Sequence, residues 1–112
     1  MKKGEIWIAG LNPVIGQEQH GKRPVVIISG NAMNDHLGLV IVCPLTTKIK
    51  NFVGDIILSP NKNNGLENES EVLTFQLRTI SKSRLINKLG FISTPQLDLI
   101  VENLNKILIQ DN

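Results

Sequence analysis

Two unbroken runs of branched aliphatic side chains constrain this chain more than anything else in it: Val25-Val26-Ile27-Ile28 and Leu39-Val40-Ile41-Val42. A strand with one face in water alternates apolar and polar residues. A run without alternation must be covered on both faces. The covering material has to come from elsewhere in the 112 residues. Turn formers bound each run, with Arg23-Pro24 before the first, Ser29-Gly30 after it, and Pro44 after the second.

Around these runs the chain reads as a series of short strands. Residues 5–9 alternate weakly and stop at Asn12-Pro13. Residues 14–22 hold two glycines and many polar groups and form a loop. Residues 24–29 form the first buried strand, residues 30–38 a polar connection carrying Asn31, Asn34 and His36, and residues 39–43 the next strand, closed by Pro44. A loop over 46–51 leads to a strand at 55–58 that ends at Ser59-Pro60, and an exposed turn follows over 61–65. Residues 71–80 make a longer strand or a bent pair, with Leu73, Phe75 and Leu77 on one face, and residues 81–85 one helical turn. The last segment is a helix. Thr94 is its N-cap and Pro95 its first residue, where the missing N–H costs nothing. Leu97, Ile100, Val101, Leu104, Ile107 and Leu108 then fall on one stripe. Short strands followed by a terminal helix give an α+β fold, a small curled sheet or barrel with a C-terminal helix, in a single domain spanning 1–112.

Composition narrows the function. Twelve basic residues against ten acidic give a net charge of +2, so nucleic-acid binding has to be local and not a property of the whole surface. The single Cys43 lies in an apolar strand and forms no internal disulfide, which points to a reduced, cytoplasmic setting. No apolar run reaches the roughly 18 residues of a membrane span.

Polar groups converge at the ends of the two apolar strands. Arg23 precedes the first, after a loop carrying Glu18, Gln19 and His20, and Thr46-Thr47 with Lys48 and Lys50 follows the second. An arginine that keeps its charge and offers a planar fork of donors suits a polyanion, above all a phosphodiester. There is no cluster with metal-ligand spacing and no His-based catalytic pair, so neither a metal nor a cofactor is expected. His20 and His36 read as surface residues, Asn31 and Asn34 as turn formers, and Trp7 as core.

Three blocks carry a resemblance. Gly4-Glu5-Ile6-Trp7, Leu11-Asn12-Pro13 and Gly16-Gln17-Glu18-Gln19-His20-Gly21-Lys22-Arg23-Pro24-Val25-Val26-Ile27-Ile28-Ser29 form the first, Pro44-Leu45-Thr46-Thr47 the second, and Gln76-Leu77-Arg78-Thr79-Ile80-Ser81-Lys82-Ser83-Arg84-Leu85 the third. In this order they resemble the MazF/PemK-type endoribonuclease toxins of type II toxin–antitoxin pairs. The resemblance implies an SH3-like barrel (the MazF/PemK/CcdB-like toxin fold), a homodimer, metal-independent cleavage of single-stranded RNA, and a cognate antitoxin with an acidic C-terminal segment. It implies that Arg23 and Thr46 are catalytic. Gly10 and Phe75 depart from the pattern, since the family often has acidic residues there.

The chemistry is coherent. The 2′-hydroxyl attacks the adjacent phosphorus, the phosphorane gains charge, and the 5′-oxygen leaves. Arg23 donates two parallel N–H bonds to the phosphate oxygens, and the Thr46 hydroxyl adds a third donor. Two groups are candidates for taking the 2′-proton: Glu18 by residue type, and Arg23 by the family reading. Gln19, Thr47, Lys48, Gln76 and Arg78 are the candidate RNA-binding residues, with Gln76 and Arg78 on a strand that floors the groove. Two other functions compete. One is a gyrase-inhibiting toxin of the same fold, disfavoured by a C-terminus without Trp; the other is a non-catalytic SH3-like module, which has no need of Arg23 and Thr46 together.

Overall fold

In the computed structural model, which describes residues 1–12, 16 and 21–109, the first apolar run is shared between two cores. Val25 and Ile27 join Ala9, Leu11, Val40, Val42, Ile80 and Leu85 in one cluster. Val26 and Ile28 join Ile6, Cys43, Leu45, Val72, Ile100 and Leu104 in the other. This is why the run shows no alternation: both faces of the strand are buried.

The strands are β1 (Glu5–Gly10), β2 (Lys22–Ile27), β3 (Leu39–Thr46), β4 (Ile57–Leu58), β5 (Ser70–Val72), β6 (Arg78–Ser81) and β7 (Leu85–Phe91). They pair antiparallel in the order β4-β5-β3-β2-β1-β7, with β6 also on β3. β6, β3, β2, β1 and β7 curl into a half-barrel around the first cluster. Two irregularities in the β1–β7 register, at Ile6/Trp7 and Ile8/Ala9, contribute to the bend. The terminal helix α2 (Thr94–Ile109) covers the outer face and completes the second cluster. The α+β architecture expected from the sequence is the one observed.

Several local expectations are corrected. Residues 31–36 form a short helix, α1 (Asn31–His36), in place of a plain connection. Its buried Asn34 receives the Ser29 hydroxyl on Oδ1 and donates from Nδ2 to the Ser29 carbonyl at 2.8 Å, so tertiary hydrogen bonds override a poor helix former. β3 runs on through Pro44. On one side β2 remains its partner (Val25↔Pro44); on the other the partner changes from β6 (Val42↔Arg78) to β5 (Leu45↔Val72). Pro44 falls at that change of partner, where a missing N–H breaks no ladder, and its carbonyl accepts the Leu73 N–H at 2.9 Å. The 71–80 segment is a bent pair joined by a 3-10 turn at Thr74–Gln76, with Leu73 buried and Phe75 exposed, so Leu73, Phe75 and Leu77 do not share a face.

The turn over 61–65 is not wholly exposed. Asn64 is fully buried; its Oδ1 accepts the Leu66 and Asn61 N–H groups at 3.0 and 3.2 Å, and its Nδ2 donates to the Ser59 carbonyl at 2.9 Å. A Cβ on Gly90 would stand 2.1 Å from the Asn63 carbonyl oxygen, so this turn seats against β7 only because residue 90 is glycine. α2 is capped one residue earlier than expected, at Ser93. Its hydroxyl accepts the Gln96 N–H at 3.3 Å while Gln96 Oε1 accepts the Ser93 N–H at 3.1 Å, which is a capping box. Only the first half of the expected stripe is covered: Ile100 and Leu104 are buried, whereas Ile107 and Leu108 are exposed. Trp7 is half-buried on the barrel cluster, with its indole N–H on Glu5 at 2.9 Å.

Candidate active site

Strand register brings three of the expected site residues to one place. Arg23 pairs with Ala9, whose side chain lies in the barrel cluster. Pro44 pairs with Val25 of the same cluster, and Thr46 stands two residues further along β3, on that face. Arg78 pairs with Val42, again on that face. Because β2, β3 and β6 run antiparallel to their neighbours, the start of β2, the end of β3 and the start of β6 lie together. Arg23, Thr46 and Arg78 therefore share one face and one end of the curled sheet. One guanidinium nitrogen of Arg78, Nη1, is buried and has no hydrogen-bond partner among the described residues, so a strong donor is left without an acceptor there.

Thr46 is 5% exposed, and its Oγ1 accepts the Lys48 N–H at 3.1 Å. That bond uses a lone pair and leaves the hydroxyl proton available to donate. Lys48 and Lys50 follow in the exposed segment beyond β3. Together with Lys22, Arg23 and Arg78 they concentrate positive charge at this end of a nearly neutral chain.

The other expected residues are placed differently. Thr47 belongs to the opposite face and lines a cavity of about 300 Å³ with Ile8, Pro24, Leu66, Asn68 and Leu89. Gln76 lies in the 3-10 turn and not on a strand, its N–H donating to the Leu73 carbonyl at 3.0 Å. Glu18, Gln19 and His20 lie outside the described residues. The described residues Leu11, Asn12 and Gly21 are hydrogen-bonded to one another. Leu11 N–H donates to the Gly21 carbonyl at 2.9 Å, and Gly21 N–H to Asn12 Oδ1 at 3.2 Å. Arg84 donates from one guanidinium nitrogen to the carbonyls of Gly10, at 3.2 Å, and Asn12.

Two residues of this region carry no expectation from the sequence. Arg84, distant in sequence, holds the backbone carbonyls of Gly10 and Asn12. Glu71, fully buried, is the direct cross-strand partner of Thr46. Its only signal is a carboxylate set against Val72-Leu73, a residue type rarely buried without partners. Cys43, also buried, has its thiol pushed up to about 12 by burial and then by the nearby Asp55 carboxylate, so it is not a nucleophile.

Comparison with known proteins identifies the family. Residues 2–108 match the family described as PemK-like, MazF-like toxin of type II toxin–antitoxin system. Endoribonuclease EndoA of Bacillus subtilis is 34% identical over 105 residues, covering 93% of this chain and 90% of that protein. A crystal structure of MazF from Deinococcus radiodurans superposes with a TM-score of 0.85 at 26% identity, covering 98% of this chain and 97% of the other. A MazE–MazF structure from the same organism gives 0.78 at 27% identity, with 96% and 95% covered. The family model spans nearly the whole chain, the Bacillus relative is 34% identical over nine-tenths of both chains, and the chain belongs to the PemK-like, MazF-like toxins of type II toxin–antitoxin systems.

Proposed function

We propose that this toxin is an endoribonuclease that cleaves single-stranded RNA without a metal ion. The 2′-oxygen bonds to the adjacent phosphorus, the bond from phosphorus to the 5′-oxygen breaks, and the products are a 2′,3′-cyclic phosphate and a 5′-hydroxyl. The 2′-proton passes to a base, Glu18 by residue type or Arg23 by the family reading, and the same group returns it to the departing 5′-oxygen. Arg23 and the Thr46 hydroxyl stabilise charge on the phosphorane. Arg78 and Lys48 hold flanking phosphates, and Gln19 and Gln76 contact the RNA. DNA lacks the nucleophile and survives. The observation that carries this reading is the shared face of Arg23, Thr46 and Arg78, with an unfilled Arg78 donor among them. The name of the Bacillus relative supports the activity. Among the described residues, no three His, Cys, Asp or Glu side chains stand together as metal ligands.

The reading extends to partners. Exposed Ile49, Phe52, Val53 and Phe75 beside the site, and Leu99, Ile107, Leu108 and Ile109 on α2, are more apolar surface than a monomer keeps in water. We assign the first group to an antitoxin with an acidic segment and the second to a homodimer. No helix among the described residues is long and apolar enough to cross a membrane, and we place the toxin in the cytoplasm.

The test is incubation of purified protein with a long unstructured RNA in EDTA. Cleavage to cyclic-phosphate and 5′-hydroxyl ends is expected. Activity lost in EDTA and restored by magnesium would refute the mechanism. Intact RNA with blocked gyrase supercoiling would replace the function by gyrase inhibition.

A further inference from the structure

Glu71 holds the segment that follows Thr46. Its Oε1 accepts the N–H groups of Lys50 and Asn51 at 2.8 and 2.7 Å, and its Oε2 that of Phe52 at 2.9 Å. Three consecutive backbone donors on one carboxylate form an anion nest, and Asn51, with φ of 56°, supplies the left-handed residue such a nest requires. The loop is closed by the Asp55 N–H on the Phe52 carbonyl at 3.1 Å, and Phe52 packs edge-on against Phe75 at 5.0 Å. The buried acceptor therefore sits directly beneath the loop that leaves Thr46.

A second carboxyl lies against the first. Asp55 lies close enough to Glu71 for the two carboxyl groups to interact. Its Oδ1 accepts from Asn103 Nδ2 of α2 at 3.2 Å, and its Oδ2 is buried with no donor within hydrogen-bond distance among the described residues. A proton on Oδ2 removes the orphan acceptor and supplies Glu71 with a fourth donor. We propose that Asp55 and Glu71 are a positioning pair for RNA cleavage: protonated Asp55 donates to Glu71, Glu71 fixes residues 50–52, and that loop sets Thr46 against the phosphate; ionisation of Asp55 frees the loop. This rests on the ribonuclease reading above.

The surroundings set where the change occurs. Asp55 is faced by Glu71 from β5, by the N–H and hydroxyl of Thr74 from the 3-10 turn, by the Cys43 thiol from β3 and by Asn103 from α2. Glu102 and Lys106, which line the cleft beside Gly54, pair with each other at 3.6 Å. Burial, and after it the Glu71 carboxylate, push the Asp55 carboxyl up to about 7, with Thr74 offsetting part of the shift. Burial pushes Glu71 up as well, but the Asp55 proton and the three N–H groups outweigh it and hold Glu71 below its ordinary value. The pair is thus singly protonated below neutrality and doubly charged above it.

Asp55→Asn keeps an N–H donor for Glu71 and an acceptor for Asn103 but does not titrate. Between about pH 6 and pH 9, where the protonated fraction falls to about one in a hundred, wild-type cleavage is expected to drop at least tenfold relative to Asp55→Asn. Amide exchange at Lys50, Asn51 and Phe52 should speed up over the same range beyond its intrinsic pH dependence in the wild type, but not in the variant. Glu71→Gln should expose those amides at every pH and lower kcat more than it raises KM. Parallel pH profiles for wild type and Asp55→Asn, or wild-type amides equally protected across that range, would overturn the proposal. If no RNA is cleaved under any condition, the ribonuclease reading fails, and with it the link from the loop to cleavage; the amide measurement still decides whether the pair holds the loop.

Discussion

Replacing Glu5 by Gln should remove about 2 kcal/mol of stability near neutral pH and almost none in strong acid. Glu5 is 7% exposed. One oxygen accepts the Lys2 N–H at 3.0 Å and the Trp7 indole N–H at 2.9 Å; the other meets Lys88 Nζ at 3.0 Å. Burial raises its pKa, but these donors and the Lys88 charge outweigh burial and bring it down to about 2. From an unfolded value of 4.5, at about 1.4 kcal/mol per pH unit, the ceiling is about 3.5 kcal/mol. Lys88 is 47% exposed, and solvent screening brings the figure to about 2 kcal/mol. A depressed carboxyl contributes above its unfolded pKa, and its contribution is lost as pH falls from about 4.5 toward 2. Gln keeps an acceptor for Lys2 and Trp7 but turns an amide N–H₂ toward Lys88. Urea unfolding of both proteins at several pH values is the assay. The gap should be about 2 kcal/mol near pH 6 and shrink below about 1 kcal/mol by pH 2.5. An equal gap at both ends would mean that shape and not charge sets the cost, and would refute the assignment.

Arg23→Ala should lower RNA cleavage by about 10²–10³ with unfolding unchanged, and Thr46→Ala should be milder; an Arg23→Ala protein cleaving at the wild-type rate would remove the site. Sedimentation at micromolar concentration should give a dimer, and Leu108→Lys should shift it toward monomer, since Leu108 is 71% exposed in the single chain; a stable wild-type monomer would contradict this. An acidic antitoxin peptide should displace RNA from the Thr46→Ala protein, and less well at high salt; simultaneous saturation by RNA and peptide would exclude groove occupation.

Some of this was open to sequence reasoning and some was closed to it, for physical reasons. The strand at 25–28 declares itself because burial on both faces forces an unbroken apolar run. The run at 39–42 marks a strand too, but it is covered on one face only, with Val40 and Val42 in the core and Leu39 exposed. The helix at 94–109 shows because its apolar stripe has the right period. β7 gives no such signal. Ile86, Asn87 and Lys88 are all exposed, and the strand is held by β1 and by the contact of Gly90 with Asn63. α1 is hidden by its asparagines, whose helical conformation depends on Ser29. Arg23 and Thr46 are legible as candidates because each ends an apolar strand, yet their shared face depends on which register β2 and β3 adopt.

Glu71 marks where local reading stops. A single glutamate between Ser70 and Val72 reads as a solvated strand residue, and its neighbours in sequence say nothing about residues 50–52, 55 or 103. The register Thr46↔Glu71 turns it into the floor of the loop, and the β4–β5 pairing, Ile57↔Glu71, brings the segment with Asp55 alongside it. A carboxylate there is tolerable because five groups offset its burial: three N–H donors, the Asp55 proton and, through Asp55, Asn103. A nonpolar residue at 71 would leave three N–H groups unpaired under the loop, at about 1–3 kcal/mol each. The loop conformation beside Thr46 and the charge at position 71 are therefore one structural decision, made by residues from β3, β5, the loop and α2 together.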